Sequence, residues 1–225
     1  MTDTILAIDP GSVESAYLLL DCPRLTPIGF GKVDNSELLK RIGIIKLTYS
    51  PVFVIEMIQS FGMAVGAEVF MTAFWAGQFC KEWNGAYEFI YRGEEKIALC
   101  HSARAKDPNI RAALIDLWGG QEKAIGNKKC PICKGKGKHR TKWRCIEDCC
   151  RCKGTGYLVP PGPLCSISND VWSALAVAVT YGLKQDLFTS SAGVLEVLDR
   201  SFRLTGHDSS ATTLPEKPTG PDTSP

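Results

Sequence analysis

Apolar runs broken by turn-forming residues divide the first half of the chain into strands and helices. Ile5-Leu6-Ala7-Ile8 ends in Asp9 and Pro10-Gly11 follows at once, so 4–9 reads as a buried strand stopped by a turn. Residues 15–21 read as a strand coming back, and 27–33, with Gly29 and Gly31, as a third. Over 35–49 the apolar spacing becomes helical, at Leu38, Leu39, Ile42 and Ile45, behind an Asp34-Asn35-Ser36 start and ahead of Pro51. Val52-Phe53-Val54-Ile55 is a short buried strand that ends in Glu56. Residues 64–83 are apolar on most sides and predict a long buried helix. A strand at 87–91 follows, then helices at 94–100 and 107–118, the second carrying Ile110, Leu114, Ile115 and Leu117. Beyond a cysteine- and glycine-rich segment, 168–184 predicts a helix around Val171, Trp172, Leu175 and Val179, and 190–204 a last one. From Thr205 onward Ser, Thr, Pro and Gly dominate, which predicts a disordered tail over 205–225.

This order of elements predicts an α/β domain, and sites in such sheets are built where central strands end. Two predicted strands end in acids, Asp9 and Glu56, and a third acid, Asp170, opens the late helix. An acid there also suits a helix N-terminus, and the sequence alone leaves both roles open. Three carboxylates meeting at one point repel each other unless cations neutralise them. Mg²⁺ takes carboxylates, waters and phosphate oxygens. Two such ions about 4 Å apart can activate a water and stabilise the leaving oxygen of a phosphodiester. Asp9 would bridge both ions, with Glu56 and Asp170 each holding one side.

Composition narrows the class. Apolar content of 44% and charged content of 22% are those of a globular protein, and 225 residues allow one good core or two small domains. The net charge of +2 is unevenly spread: 121–157 holds eleven Lys/Arg against three Asp/Glu, a local +8, which leaves −6 on the rest. The amino terminus, Met-Thr-Asp-Thr, has no basic region before the apolar run, and the apolar stretch 52–80 contains Glu56, Gln59 and Glu68. Neither a signal peptide nor a membrane span is expected. A reducing cytoplasm, with clustered cysteines as metal ligands, fits this picture.

Five of the ten cysteines lie between Cys130 and Cys150, with Cys152 just beyond. Cys130-Pro-Ile-Cys133-Lys-Gly-Lys-Gly137 and Cys149-Cys-Arg-Cys152-Lys-Gly-Thr-Gly156 repeat one unit, Cys-x-x-Cys-x-Gly-x-Gly. Each unit offers two thiolates, and two units make a tetrahedral zinc site from Cys130, Cys133, Cys149 and Cys152. The glycines let the backbone turn toward the metal without a Cβ. Cys145 and Cys150 compete as ligands, but the repeat symmetry favours Cys149 and Cys152. Cys22, Cys80, Cys100 and Cys165 read as scattered core thiols. The units resemble the zinc-binding repeats of the DnaJ chaperones, with two present here. Lys134, Lys136, Lys138, Arg140, Lys142 and Arg144, with His139 and Trp143 interleaved, suit nucleic acid; the plainer reading is a solvated loop.

Ile-Asp-Pro-Gly on a first strand, Val-Ile-Glu on a fourth and Asp-x-x-Ser-Ala-Leu-Ala-Val-Ala on a late helix resemble the RuvC-like Holliday junction resolvases, of the RNase H-like superfamily. Ile-Glu-Met-Ile-Gln-Ser-Phe-Gly-Met-Ala-Val-Gly, Ala-Lys-Asp-Pro-Asn-Ile-Arg-Ala-Ala-Leu-Ile-Asp and Asp-Val-Trp-Ser-Ala look like the phage-encoded branch. The resemblance covers roughly 4–120 and 166–183. It implies an RNase H-like mixed sheet flanked by helices over 1–120 and 164–204, with a zinc-knuckle insertion at 121–163. It implies a dimeric, Mg²⁺- or Mn²⁺-dependent endonuclease that resolves four-way or other branched DNA. Asp9, Glu56 and Asp170 match the catalytic acids. The bacterial pattern has a fourth acid three residues after the third; this chain has Ser173 there. Lys96 and Lys106 fall where the family's lysines face DNA phosphates, or are surface lysines. Phe61 either stacks on an opened base or is core. A non-catalytic branched-DNA-binding protein and a fork or flap nuclease stay open. An ATPase of the actin and sugar-kinase type also uses an Asp-x-Gly turn but needs two such domains.

Overall fold

The computed structural model describes residues 4–59, 62, 64–140 and 146–188. Its centre is a five-stranded mixed sheet in the order β3-β2-β1-β4-β5, made of β1 (Thr4–Asp9), β2 (Glu14–Asp21), β3 (Thr26–Asp34), β4 (Val52–Met57) and β5 (Tyr87–Tyr91). β1, β2 and β3 form an antiparallel meander, while β4 and β5 run parallel to β1. The carboxyl ends of β1, β4 and β5 therefore lie side by side on one edge.

The period-2 alternation of the strands splits the core in two. Ile5, Ala7, Ala16, Leu18 and Val54 face α6 (Val171–Lys184) and α4 (Asp107–Leu117). Leu6, Ile8, Leu19, Phe53 and Ile55 face α1 (Asn35–Tyr49) and α2 (Ala67–Trp83). Ten residues of α6 are buried, a helix apolar almost all round pressed against β1, β2 and β4. Helix α3 (Arg92–Cys100) starts directly where β5 stops.

α2 departs from its predicted reading. It begins at Ala67 and buries only Ala76, Phe79, Cys80 and Trp83, leaving Phe70, Met71 and Phe74 exposed. Its apolar residues run all round the helix, but only its last two turns reach the sheet and α1. The segment expected as an insertion holds structure that its polar, basic residues do not announce. After the one-turn α5 (Gln121–Ala124), β6 (Gly126–Lys129) pairs with β9 (Tyr157–Pro161), and β7 (Lys138–Arg140) pairs with β8 (Ile146–Asp148). The expected helix at 190–204 and the tail lie outside the described residues.

Candidate active site and metal centre

The turn after β1 is fixed from beneath. Gly11 N–H donates to Ser15 Oγ (3.0 Å), Ser15 Oγ donates to Asn35 Oδ1 (2.6 Å), and Asn35 Nδ2 donates back to the Gly11 carbonyl (3.0 Å). Ser15 and Asn35 are buried, so each hydrogen bond is costly to lose. A Cβ on Gly11 would lie 2.2 Å from the Glu14 carbonyl oxygen, which explains the glycine. This network holds Asp9 at a set place on the strand end.

Strand register then decides which groups meet Asp9. Ile8 pairs with Ile55, so the next residue on each parallel strand is an acid, Asp9 and Glu56. Both continue the face of Ala7 and Val54, the side on which α6 packs. Their side chains are electrostatically coupled. Burial, with the Glu56 charge next, pushes the Asp9 carboxyl up to about 8. Burial and then the charge of Glu95 push Glu56 up to about 7, against the pull of Arg92.

Asp170 stands at the N-terminus of α6 and makes no side-chain capping hydrogen bond. It pairs instead with Lys32 Nζ at 2.8 Å. Lys32 reaches it because Asp9, Ala16 and Lys32 form one row across β1, β2 and β3. Asp170 lies within electrostatic reach of Asp9. It also lines, with Ser173, a cleft of about 400 Å³ shared with Arg92, Asp107, Arg111 and Trp172. The structure thus brings Asp9 and Glu56 into contact and sets Asp170 beside them, turned to Lys32.

Three groups in this site were not singled out from the sequence. Arg92, the first residue of α3, donates to Glu95 and, at 2.6 Å, to Asp107 at the start of α4. Glu95 is fully buried. Lys32 lies in the predicted strand 27–33, Glu95 in the predicted helix 94–100 and Arg92 between predicted elements, and no motif marks any of them. Only the strand order and register show that they border the acids. Of the expected DNA-facing lysines, Lys96 is half-buried on α3 next to Glu95, and Lys106 is exposed next to Asp107. Phe61, Trp143 and Cys145 lie outside the described residues.

The cysteine centre is tighter. Among the described residues, Cys130, Cys133, Cys149 and Cys152 are the one set of possible ligands whose atoms all lie within 4.8 Å of one another. The carboxylate oxygens of Asp9, Glu56 and Asp170 are not gathered this closely. Cys130 Sγ and Cys149 Sγ are 3.8 Å apart, and Cys133 Sγ and Cys152 Sγ 3.7 Å. These separations exclude disulfides and match the edge of a tetrahedron with Zn–S bonds of about 2.3 Å. Gly156 N–H donates to Cys152 Sγ at 3.2 Å, as thiolate ligands require. Cys150 is exposed and outside the set. Lys134, Gly135 and Gly137 take positive φ, as do Lys153, Gly154 and Gly156, so the repeat in sequence is a repeat in conformation. A Cβ on Gly137 would meet the Gly154 carbonyl oxygen at 2.1 Å, and one on Gly156 the Gly135 oxygen at 2.5 Å. The glycines therefore let the two knuckles press on each other's backbone, beyond turning toward a metal. Lys134, Lys136 and Lys138 are exposed; the Arg140 side chain lies outside the described part.

The acids make stability depend on pH in a definite sense. Asp9, at about 8, holds its proton more tightly in the folded chain than its ordinary value of 3.8 allows when unfolded. The folded state then binds more protons between those values, so stability falls as pH rises from about 4 to about 8. Asp9→Asn should flatten that fall and raise the melting midpoint near pH 8 by at least ~3 °C, the shift about 1 kcal/mol gives at this size. Thermal melts across pH, with no divalent ion added, read this. Parallel wild-type and Asp9→Asn profiles would contradict the assignment.

No family profile and no curated protein sequence matches the chain. Solved structures do. A Thermus thermophilus RuvC structure aligns with a TM-score of 0.53 at 11% identity, covering 82% of this chain and 96% of that one. A second, T. thermophilus RuvC in complex with Holliday junction substrate, aligns with a TM-score of 0.51 at 13% identity, covering 83% and 96%. The chain has the RuvC-like form of the RNase H-like fold, a mixed five-stranded sheet flanked by helices, with a four-cysteine cluster added.

Proposed function

We propose that this protein is a divalent-metal-dependent endonuclease that cuts branched DNA, four-way junctions foremost. The observation that carries this reading is Asp9 and Glu56 side by side on adjacent parallel strand ends, with Asp170 beside them. The fold's likeness to RuvC, one of whose structures holds a Holliday junction substrate, supports the choice of substrate.

The residues suit Mg²⁺ or Mn²⁺: Asp9 and Glu56 are neighbours with Asp170 in electrostatic reach, and the first two carry raised proton affinity that a divalent cation would relieve. Ions bound there would supply Lewis acidity and a water ionised at neutral pH. Asp9, as the middle acid, would contact both ions, with Glu56 and Asp170 on either side. Arg92 spans Glu95 and Asp107, which fixes the start of α3 against the start of α4 beside the acids. Lys32, which pairs with Asp170 and Glu14 beside the acids, would offer a contact to a phosphate oxygen. The exposed Phe70, Met71 and Phe74 on α2 offer an apolar surface for a two-fold dimer, which two symmetric cuts call for. A non-catalytic branched-DNA-binding protein is the second reading; the Lys32–Asp170 pair and Ser173 favour it. Among the described residues no helix is long and apolar enough to cross a membrane.

Asp9→Asn should abolish cleavage of four-way junctions in Mg²⁺ and leave junction binding within about twofold, because it removes a metal ligand and no DNA contact. Cleavage at the wild-type rate would refute the carboxylate site. A wild type that binds junctions and cuts none would select the second reading.

The cysteine cluster should hold one structural zinc per chain. Such sites give small modules ~10–16 kcal/mol of apparent binding energy. Cys133→Ser should therefore unfold the insertion and spare the sheet, seen as lost amide protection in 121–163 alone. Freshly purified protein without zinc by elemental analysis would rule this out.

The basic insertion should supply phosphate contacts that a body of charge −6 does not. Changing Lys134, Lys136 and Lys138 to Ala should flatten the salt dependence of log K by roughly two to three units. The lower figure applies if Lys138, paired in register with Asp148, is already partly neutralised. Affinity should fall alike on junction and linear DNA. Equal slopes for both proteins would place the basic loop away from DNA.

A further inference from the structure

The chain has Ser173 where the bacterial pattern has its fourth acid, and a serine hydroxyl brings no charge to a cation. The structure offers another carboxylate. β5 runs parallel to β4 with Ile90 opposite Glu56, so the chain leaves the sheet beside Glu56 and enters α3 at once. One turn into α3 stands Glu95, with no exposed surface at all. Arg92 donates to Glu95 Oε2, while Glu95 Oε1 is buried and has no hydrogen-bond partner. Buried carboxylate oxygens are almost always paired, because leaving one dry and unpaired costs several kcal/mol. Glu95 also lies within electrostatic range of both Asp9 and Glu56, so the unpaired oxygen sits on a side chain in the neighbourhood of the acid pair.

Arg92 cannot account for this group alone. It is shared between Glu95 and Asp107. One guanidinium leaves the acids of the cluster with excess negative charge, and Lys32 on the far side pairs with Asp170 and Glu14. A further cation satisfies the orphaned oxygen and the excess charge together.

We propose that Glu95 is the fourth carboxylate of the cation site, delivered from α3 in place of the one that Ser173 omits from α6. The proposal rests on the metal-dependent reading of the site. It assigns Arg92 a second task, that of holding Glu95 in place by its other oxygen. It also explains why a chain with a neutral residue at 173 can keep a full set of four acids.

The test is Mn²⁺ binding to the full chain, read as free Mn²⁺ by electron paramagnetic resonance, with no DNA and no turnover. Glu95→Gln keeps the shape and still accepts from Arg92. It should weaken Mn²⁺ binding at least tenfold while the melting midpoint without Mn²⁺ stays level or rises. Glu95→Gln combined with Ser173→Asp should recover most of the lost affinity, because the fourth carboxylate returns from α6. Asp9→Asn is the control for the site itself. If Asp9→Asn loses Mn²⁺ and Glu95→Gln binds as wild type does, Glu95 merely anchors Arg92 and the inference fails alone. A wild type that binds no Mn²⁺ removes the metal reading and the inference with it. Should Glu95→Gln not fold, Glu95→Asp decides: a partial loss of affinity supports the assignment, and wild-type affinity overturns it.

Discussion

Parallel pairing of β1 with β4 forces two carboxylates together at the edge of a buried sheet. Ile8 opposite Ile55 makes Asp9 and Glu56 neighbours, and the sheet cannot keep its register and separate them. That juxtaposition is unfavourable on its own, since like charges repel and burial strips their water. The surroundings are arranged around it. Arg92 and Lys32 stand on opposite flanks as fixed positive charges. The Gly11–Ser15–Asn35 network holds the turn that keeps Asp9 from swinging away. On the proposed reading, a divalent cation would offset that repulsion and serve phosphodiester hydrolysis.

The cysteine module meets a different constraint by the same economy of parts. It has almost no apolar core of its own: among the described residues its hydrophobic cluster is the four cysteines, with Leu158 packed against them. Two short β-ladders and two knuckles do not bury enough surface to stand alone. The reciprocal glycine contacts bring the knuckle backbones within a distance no side chain allows, and this sets the sulfurs at tetrahedral spacing. A single repeated eight-residue unit thus carries both the ligands and the geometry that aligns them.

Where burial follows apolar periodicity, the sequence was legible. Helix 35–49 and strand 87–91 have the bounds that their patterns predict, and Asp9 ends β1 as read, while β4 runs one residue past Glu56 to Met57. The knuckle ligands were legible too, because spacing in a repeat is a local property. α2 was misread as buried all round, since hydrophobicity does not say how much of a helix a sheet can cover. Glu95 was invisible for the converse reason. Arg92-Gly-Glu-Glu-Lys has the composition of a solvated helix start, yet topology sends that turn under the active edge. Lys32 becomes a neighbour of the acids only once the row Asp9–Ala16–Lys32 is known, and a row across three strands is a property of register.

The two halves of the chain face opposite electrostatic problems, and this argues that they act on one ligand. The body carries −6 and concentrates acids at the very edge where a phosphate must approach. A polyanion is repelled by that edge until cations fill it. The insertion carries +8 before any metal, and four thiolates with one Zn²⁺ would lower this by only two charges. It leaves the body between α4 and α6, the two helices whose first turns line the cleft beside Asp170. On the proposed reading, attraction would fall to the insertion and chemistry to the sheet domain. Such a division suits a nuclease that must hold DNA by its backbone and cut where the strand can reach the acids, since phosphate contacts position a protein without reading sequence. Selectivity would then come from the shape that brings a strand into the cleft.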